Sequence, residues 1–340
     1  MIINDAELKS LNDEILDNYR EISVDTEFVR FRNGGVKLCL LQIAYGAEMA
    51  LVDPLACDIR NIQDVFQRRD IIKIFHASKQ DLSVLQEYDF HVNNVFDTQI
   101  AEYVLCSSGA VGYQHLVSKY LNVQISKVEK TSNWLHRPLR QKQLEYAYHD
   151  VQYMHEIYLS QLRRAAELER TDILCEIMRY LNDPYLSMVD ELSYRERKAL
   201  EHLITLQEAM HCNESLSREE ILSMIVRREH FFSHLRKADD EKREFYCAAQ
   251  KICDGLPSLM PAKGLAGLIK VLVEICAEKH DLYLPWLIST RDLALIAAGD
   301  YEMRCFDSWR YEVFGKYVAD FIAGKCSLRM KDKKIEICGV

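Results

Sequence analysis

An α/β domain built on a mixed sheet with flanking helices, followed by an all-α second half, is the architecture this 340-residue chain predicts. Up to Phe75, β-favouring apolar runs are separated by turn residues. Helical periodicity then takes over, and beyond about residue 165 almost every segment carries it. Strands first and helices after them, within one chain long enough for two or three domains, give the mixed-sheet order.

Residues 21–29 read as the first strand, with Ile22, Val24, Thr26 and Phe28 on one face and Ser23, Asp25, Glu27 and Val29 on the other. Gly34-Gly35 supplies a turn into the apolar run 36–45, and 49–52 extends the meander. After Asp53-Pro54, Ile59, Ile62, Val65 and Phe66 suggest a helix, and 71–75 is another short strand. One long helix is expected from about 141 to 164, with Leu144, Ala147, Tyr148, Val151, Met154, Tyr158 and Leu162 as its apolar stripe. Breaks at Asn182-Asp183-Pro184, Gly255-Leu256-Pro257, Pro261, Pro285 and Gly299-Asp300 punctuate the helical half. The domain boundary is expected between 165 and 185.

The net charge is −9 and both halves are acidic, so a globally basic surface for tight, nonspecific duplex binding is excluded; a local basic groove stays open. The eleven cysteines include no C-x-x-C pair and read as reduced, mostly buried residues rather than a disulfide framework or a zinc site. Residues 1–20, studded with Asp, Glu and Asn, carry no signal-peptide pattern, and no apolar run reaches membrane-spanning length. A cytoplasmic protein is expected.

The chemistry concentrates in four segments. Asp25 and Glu27 are same-face neighbours on a strand, and carboxylates that close repel unless a hard divalent cation compensates or the face meets water. Both alternatives stand at this point. Asp81 falls in the first turn of a helix after a strand that ends at Phe75-His76. Asp97 stands where a helix N-cap belongs, before Ile100, Val104 and Leu105. Tyr146 and Asp150, four apart and about 40° from each other around the helix, lie off the apolar stripe and address one site.

Taken together, Asp25-Thr26-Glu27-Phe28, His76-Ala77-x-x-x-Asp81-Leu82, Phe96-Asp97-Thr98-Gln99-Ile100 and Tyr146-x-x-x-Asp150 resemble, in order and spacing, the DEDD 3'-5' exonucleases with a third-motif tyrosine. They look most like the ribonuclease D family, a likeness strengthened by Trp134-Leu135-x-Arg137-Pro138-Leu139. The chain departs from that pattern at Thr131 and Asn133, where Arg and Asp are usual. The resemblance implies a ribonuclease H-like exonuclease domain over 1–170. It also implies two divalent metal ions, Mg²⁺ or Mn²⁺, held by Asp25, Glu27, Asp81 and Asp150, with Tyr146 orienting the attacking water. His76 and Asp97 would support the site, and Phe28, Gln42, Trp134 and Arg137 would contact substrate. The implied activity trims RNA 3' ends, tRNA precursors among them, and releases nucleoside 5'-monophosphates. DNA is the nearest alternative substrate, and a dead nuclease fold that only binds nucleic acid or protein is the alternative from another class.

Residues 259–340, with Leu287-Ile288-Ser289-x-Arg291 and Ser308-Trp309-Arg310-x-Glu312-x-x-Gly315, look like the HRDC helical module, and 171–258 are HRDC-like by position only. Basic clusters at Arg227-Arg228, Arg236-Lys237, Lys242-Arg243 and 325–334 stand in this half as solvated faces or as an extension of an RNA track.

Overall fold

The computed structural model describes residues 4–32, 34–106, 111–125, 129, 132–182, 263–283, 287–288, 290–299 and 308–339. It divides into two compact units, Met1–Asn182 and Asp183–Val340.

The first unit opens with α1 (Asp5–Asn18), a helix the reading above did not anticipate. Its signals are local: the Asn4 side chain accepts from the Glu7 N–H at 2.9 Å, and Leu8, Leu11 and Ile15 recur on one face. The strands β1 (Glu21–Arg30), β2 (Val36–Tyr45) and β3 (Glu48–Val52) form an antiparallel meander. Strands β4 (Ile72–Phe75) and β5 (Val95–Asp97) extend it in parallel on the other side, giving the order β3-β2-β1-β4-β5. The β2–β3 turn passes through Gly46 at φ +57, where a Cβ would stand 2.7 Å from Tyr19 Cε1, so only glycine fits.

Apolar side chains cover both faces of this sheet. Ile22, Val24, Leu41 and Ile43 join Leu8, Leu11 and Ile15 of α1 and Val65 and Phe66 of α2 (Gln63–Gln67) in one core. Cys39, Leu40 and Leu51 pack on the opposite side with Trp134, Leu139 and Ala147. The strand register slips between Glu27 and Phe28, which pair with Leu40 and Leu38, so Cys39 is the extra residue of a bulge. Bulges bend and twist a strand locally; this one lies beside Glu27.

Around the sheet lie α3 (Lys79–Gln86), α4 (Thr98–Leu105), α5 (Tyr113–Leu121), α6 (Gln141–Gln152), α7 (Met154–Glu167) and α8 (Thr171–Asn182). The single helix expected over 141–164 is therefore two, broken at Tyr153 (φ −105, ψ −1). The Tyr153 N–H donates to the Tyr113 hydroxyl at 3.1 Å, a contact spanning 40 residues that no periodicity reveals. Beyond the break the buried stripe is turned: Gln161 is fully buried, whereas Leu162 is 36% exposed. Buried Glu102 of α4 ties three helices together, accepting from Lys119 Nζ and the Tyr120 hydroxyl on α5 and from Gln161 on α7. Helix α8 also belongs to this unit, because the Asn182 amide bonds both the N–H and the carbonyl of Val95 on β5. The unit thus extends past residue 170.

In the second unit, α9 (Lys263–Lys279), α10 (Thr290–Ala297), α11 (Ser308–Arg310), a π turn (Tyr311–Gly315) and α12 (Lys316–Ile322) enclose a core that includes Ile269, Val273, Leu287, Ile296 and Phe314. The expectation of an all-α second half is overturned at its end, where β6 (Cys326–Lys331) and β7 (Lys334–Gly339) form an antiparallel hairpin. Its two-residue turn, Asp332-Lys333, holds both residues at positive φ (48 and 65), the geometry tight hairpins use. Strict alternation in Cys326-Ser327-Leu328-Arg329 was the available signal. Residues 183–258, with the three basic pairs at 227–243, lie outside the described residues. Among the described cysteines all are free; Cys39, Cys57 and Cys276 are buried, but Cys175 is exposed.

Candidate active site

Strand β1, the seam between the antiparallel and parallel parts of the sheet, delivers the first two acids. Strand β1 carries Asp25 and Glu27 on the face toward α6, and α6 brings Tyr146 and Asp150 over them. Carboxylate oxygens of Asp25, Glu27 and Asp150 all lie within 4.8 Å of one another. Asp81, in the first turn of α3, lines the same cleft outside that triangle. The cleft encloses about 430 Å³, and His76, Tyr113 and Phe28 also line it.

Such crowding has an electrostatic consequence. Burial first, then the charges of Asp81, Asp150 and Glu27, push the Asp25 carboxyl well above the usual carboxylate range. Part of the residue's surface remains open through the cleft, and the three like charges act in the same direction as burial. Asp81 is pushed up to about 6, mainly by burial, against the opposing hydrogen bond it accepts from the Thr26 hydroxyl at 2.5 Å. Four carboxyls without a cationic side chain among the cleft residues form a hard, all-oxygen donor set, which fits Mg²⁺ or Mn²⁺ and not zinc.

Tyr146 hydrogen-bonds Asp150 one helical turn away, and burial, then the charges of Asp150, Glu27 and Asp25, raise its phenol further above its already high value. It stays protonated at neutral pH, suited to holding a water and unsuited to removing its proton.

Behind these groups stands a set of buried supports. Asp97, 1% exposed, caps α4 by accepting from the N–H groups of Gln99 and Ile100. It also accepts from the Ala77 and Ser78 N–H groups and the Ser78 hydroxyl. These bonds hold Ala77 at φ 60, a conformation costly for a residue with a Cβ, and so set where α3 and Asp81 begin. Asp97 itself does not line the cleft. His76 Nδ1 lies 3.0 Å from the Thr98 hydroxyl, and burial pushes its imidazole down to about 4, so it is neutral beside the acids.

Of the residues expected to contact substrate, only Phe28 lines the cleft. Gln42 is directly cross-strand from Asp25 but fully buried. Trp134, 2% exposed, packs against Tyr146 with ring centroids 6.1 Å apart and so stiffens the tyrosine from behind. Arg137 directs its guanidinium inward: Nε and Nη2 bond the Asp53 carboxylate at 2.5 and 2.7 Å, Nη1 bonds the Trp134 carbonyl, and Nη2 bonds the Cys39 carbonyl. It clamps the Trp134 loop to the bulged strand. Arg137 is turned inward by a carboxylate across the fold, whereas Gln42 and Trp134 are buried by packing, their side-chain amide and indole N–H making no hydrogen bond among the described residues. Asn133, at one departure from the family pattern, accepts from the Leu135 N–H within that loop; Thr131 is outside the described residues.

Sequence reasoning missed two participants. Thr26, assigned to the opposite face, reaches Asp81 through its hydroxyl. Tyr113 lines the cleft, lies 5.6 Å from the His76 ring, and receives the N–H at the α6–α7 break just beyond Asp150. Neither carries a spacing signal.

A family model described as 3'-5' exonuclease matches residues 1–164. A ribonuclease D of Zymomonas mobilis is 29% identical over 92% of this chain and 92% of its own length. Another, from Sphingobium indicum, is 28% identical over 93% and 92%. Among solved structures, Escherichia coli RNase D, described as an exoribonuclease involved in structured RNA processing, shares the fold with a TM-score of 0.64 at 22% identity, covering 95% of this chain and 98% of that one. With four acids and a tyrosine gathered in one cleft, the chain carries a 3'-5' exonuclease domain over residues 1–164 and is similar nearly end to end to proteins named ribonuclease D.

Proposed function

We propose that this protein is a metal-dependent 3'-5' exoribonuclease that trims the 3' ends of structured RNA, tRNA precursors among them, and releases nucleoside 5'-monophosphates. The observation that carries this is the triangle of Asp25, Glu27 and Asp150, whose carboxylate oxygens lie within 4.8 Å of one another in a cleft that Asp81 also lines. Two bound divalent cations would supply a water of lowered pKa and balance charge on the attacking and leaving oxygens.

In this scheme Asp25, which shares the cleft with Glu27, Asp150 and Asp81, would be a ligand common to both ions, Glu27 and Asp150 would help hold the one that lowers the pKa of the water, and Asp81 would support the other. The Tyr146 hydroxyl, already bonded to Asp150, orients the attacking water. Phe28, the apolar residue of the cleft wall beside Glu27, meets the terminal base or ribose. His76 and Asp97 keep the Asp81 loop in place. We place this action in the cytoplasm on the similarity to proteins named ribonuclease D.

The test is hydrolysis of matched 5'-labelled single-stranded RNA and DNA with Mg²⁺, Mn²⁺ or excess chelator. Stepwise shortening of RNA that chelator stops and either metal restores is expected. Equal or faster shortening of DNA would transfer the activity to a DNA exonuclease, and no metal-dependent shortening of either would leave a binding protein.

A further inference from the structure

We propose that the terminal hairpin, β6–β7, is a contact surface for the phosphate backbone of the structured RNA substrate; this rests on the exoribonuclease reading above. Leu328 and Ile337, paired across the hairpin, pack against the core of the second unit and anchor the ribbon. Beyond them it overhangs. The next pair on that face, Met330 and Ile335, is 68% and 38% exposed. Arg329, Lys331 and Lys334 occupy the other face with Glu336, which stands opposite Arg329; Lys333 is in the turn, and Lys325, paired with Asp320, comes just before the first strand.

Within 325–339 the cations Lys325, Arg329, Lys331, Lys333 and Lys334 outnumber the anions Asp332 and Glu336, in a chain whose net charge is −9. None of Arg329, Lys331, Lys333 and Lys334 forms an ion pair among the described residues. Moreover, Lys331 and Lys334 are direct cross-strand partners. Like charges placed opposite one another destabilise a hairpin, so folding alone disfavours this pair, whereas a polyanion compensates it. A narrow ribbon with cations on its exposed face and at its tip matches a phosphate backbone, which attracts Lys and Arg through counterion release. A neutral partner protein would use the apolar pair instead and leave the salt dependence weak.

Lys331→Glu separates the possibilities in the full-length protein. It converts the repulsive pair into an opposite-charge pair with Lys334, so the melting temperature should hold or rise. Affinity for a tRNA-sized structured RNA, measured by anisotropy in excess chelator, should fall several-fold. The slope of log affinity against log salt should flatten by about one. Trimming of a short single-stranded oligomer should be unchanged. Arg329→Gln with Lys334→Gln should reproduce the loss without any charge reversal. Structured-RNA affinity and salt slope equal to wild type in both variants would overturn the proposal. So would a Met330→Ser, Ile335→Ser variant that alone abolishes a concentration-dependent mass increase in light scattering while RNA binding persists, since the face would then join copies of the chain. If the wild type trims no RNA at all, the exoribonuclease reading fails, and that result is visible in the oligomer arm independently of the hairpin.

Discussion

The two units handle charge in opposite ways. In Met1–Asn182 the acids stand in a cleft backed by a sheet buried on both faces, among contacts remote in sequence such as Thr26 to Asp81 and Tyr113 to Tyr153. In the described part of Asp183–Val340 no comparable group of metal-ligating side chains occurs, and a cluster of cations lies on an exposed hairpin at the edge of a mainly apolar core. Chemistry on a phosphodiester needs groups placed within a fraction of an ångström, which only an over-determined fold supplies. Attraction of a polyanion needs charge of the right sign at the surface and tolerates loose placement. The first unit therefore concentrates strain and repulsion that the second avoids, apart from the lysine pair at the hairpin tip.

If that contrast holds, the largest effect belongs to the triangle. Asp25→Asn, Glu27→Gln or Asp150→Asn should abolish RNA hydrolysis while leaving the fold intact, and Asp25→Asn should raise the melting temperature of the metal-free protein by relieving repulsion. Activity and melting curves on the same preparations check both, and appreciable hydrolysis by any one variant would remove that residue from the site.

Tyr146→Phe comes next. It removes the hydroxyl bonded to Asp150 and should cost on the order of 10²-fold in kcat with little change in KM or in Mn²⁺ affinity, because packing against Trp134 remains. Wild-type turnover would reduce this residue to a packed aromatic.

Tyr113→Phe sharpens the comparison, since its hydroxyl touches the break beyond Asp150 and no cleft acid is removed. A loss on the order of 10-fold in kcat is expected, together with weaker Mn²⁺ binding by calorimetry as Asp150 shifts. Loss of stability with unaltered Mn²⁺ affinity would make the tyrosine structural only.

The smallest effect is a pH dependence. The folded-state carboxyls of Asp25 and Asp81 titrate above their unfolded values, so between about pH 4 and 6 the folded chain binds more protons than the unfolded one. The Asp81 contribution is present at low pH and is lost as pH rises through about 6, and that of Asp25 is lost as pH rises through its own raised value. The melting-temperature difference between metal-free wild type and Asp25→Asn should accordingly widen as pH rises above the ordinary carboxylate range, and Mg²⁺ should close it. A gap that narrows would mean the acids are not crowded in solution.

Much of the site was legible in the sequence because its determinants are local. Alternation placed Asp25 and Glu27 on one strand face, a four-residue step joined Tyr146 to Asp150, and helix-start position identified Asp81 and the Asp97 cap. The same short-range rules covered α1 and the terminal hairpin, whose cap, periodicity and alternation were present and went unused. What only the tertiary structure decided involves partners far apart in the chain. The Arg137 guanidinium turned inward to Asp53, Trp134 became a brace for Tyr146, Gln42 disappeared beneath the sheet surface, and the helix over 141–164 broke where Tyr113 offered Tyr153 an acceptor. Local backbone preference is worth a few tenths to about 1 kcal/mol per residue, whereas leaving a buried donor or charge unpaired costs about 1–3 kcal/mol or more. For Arg137 and the Tyr153 N–H, satisfying those groups outweighs the pattern along the sequence once the chain compacts, whereas Gln42 and Trp134 are placed by packing.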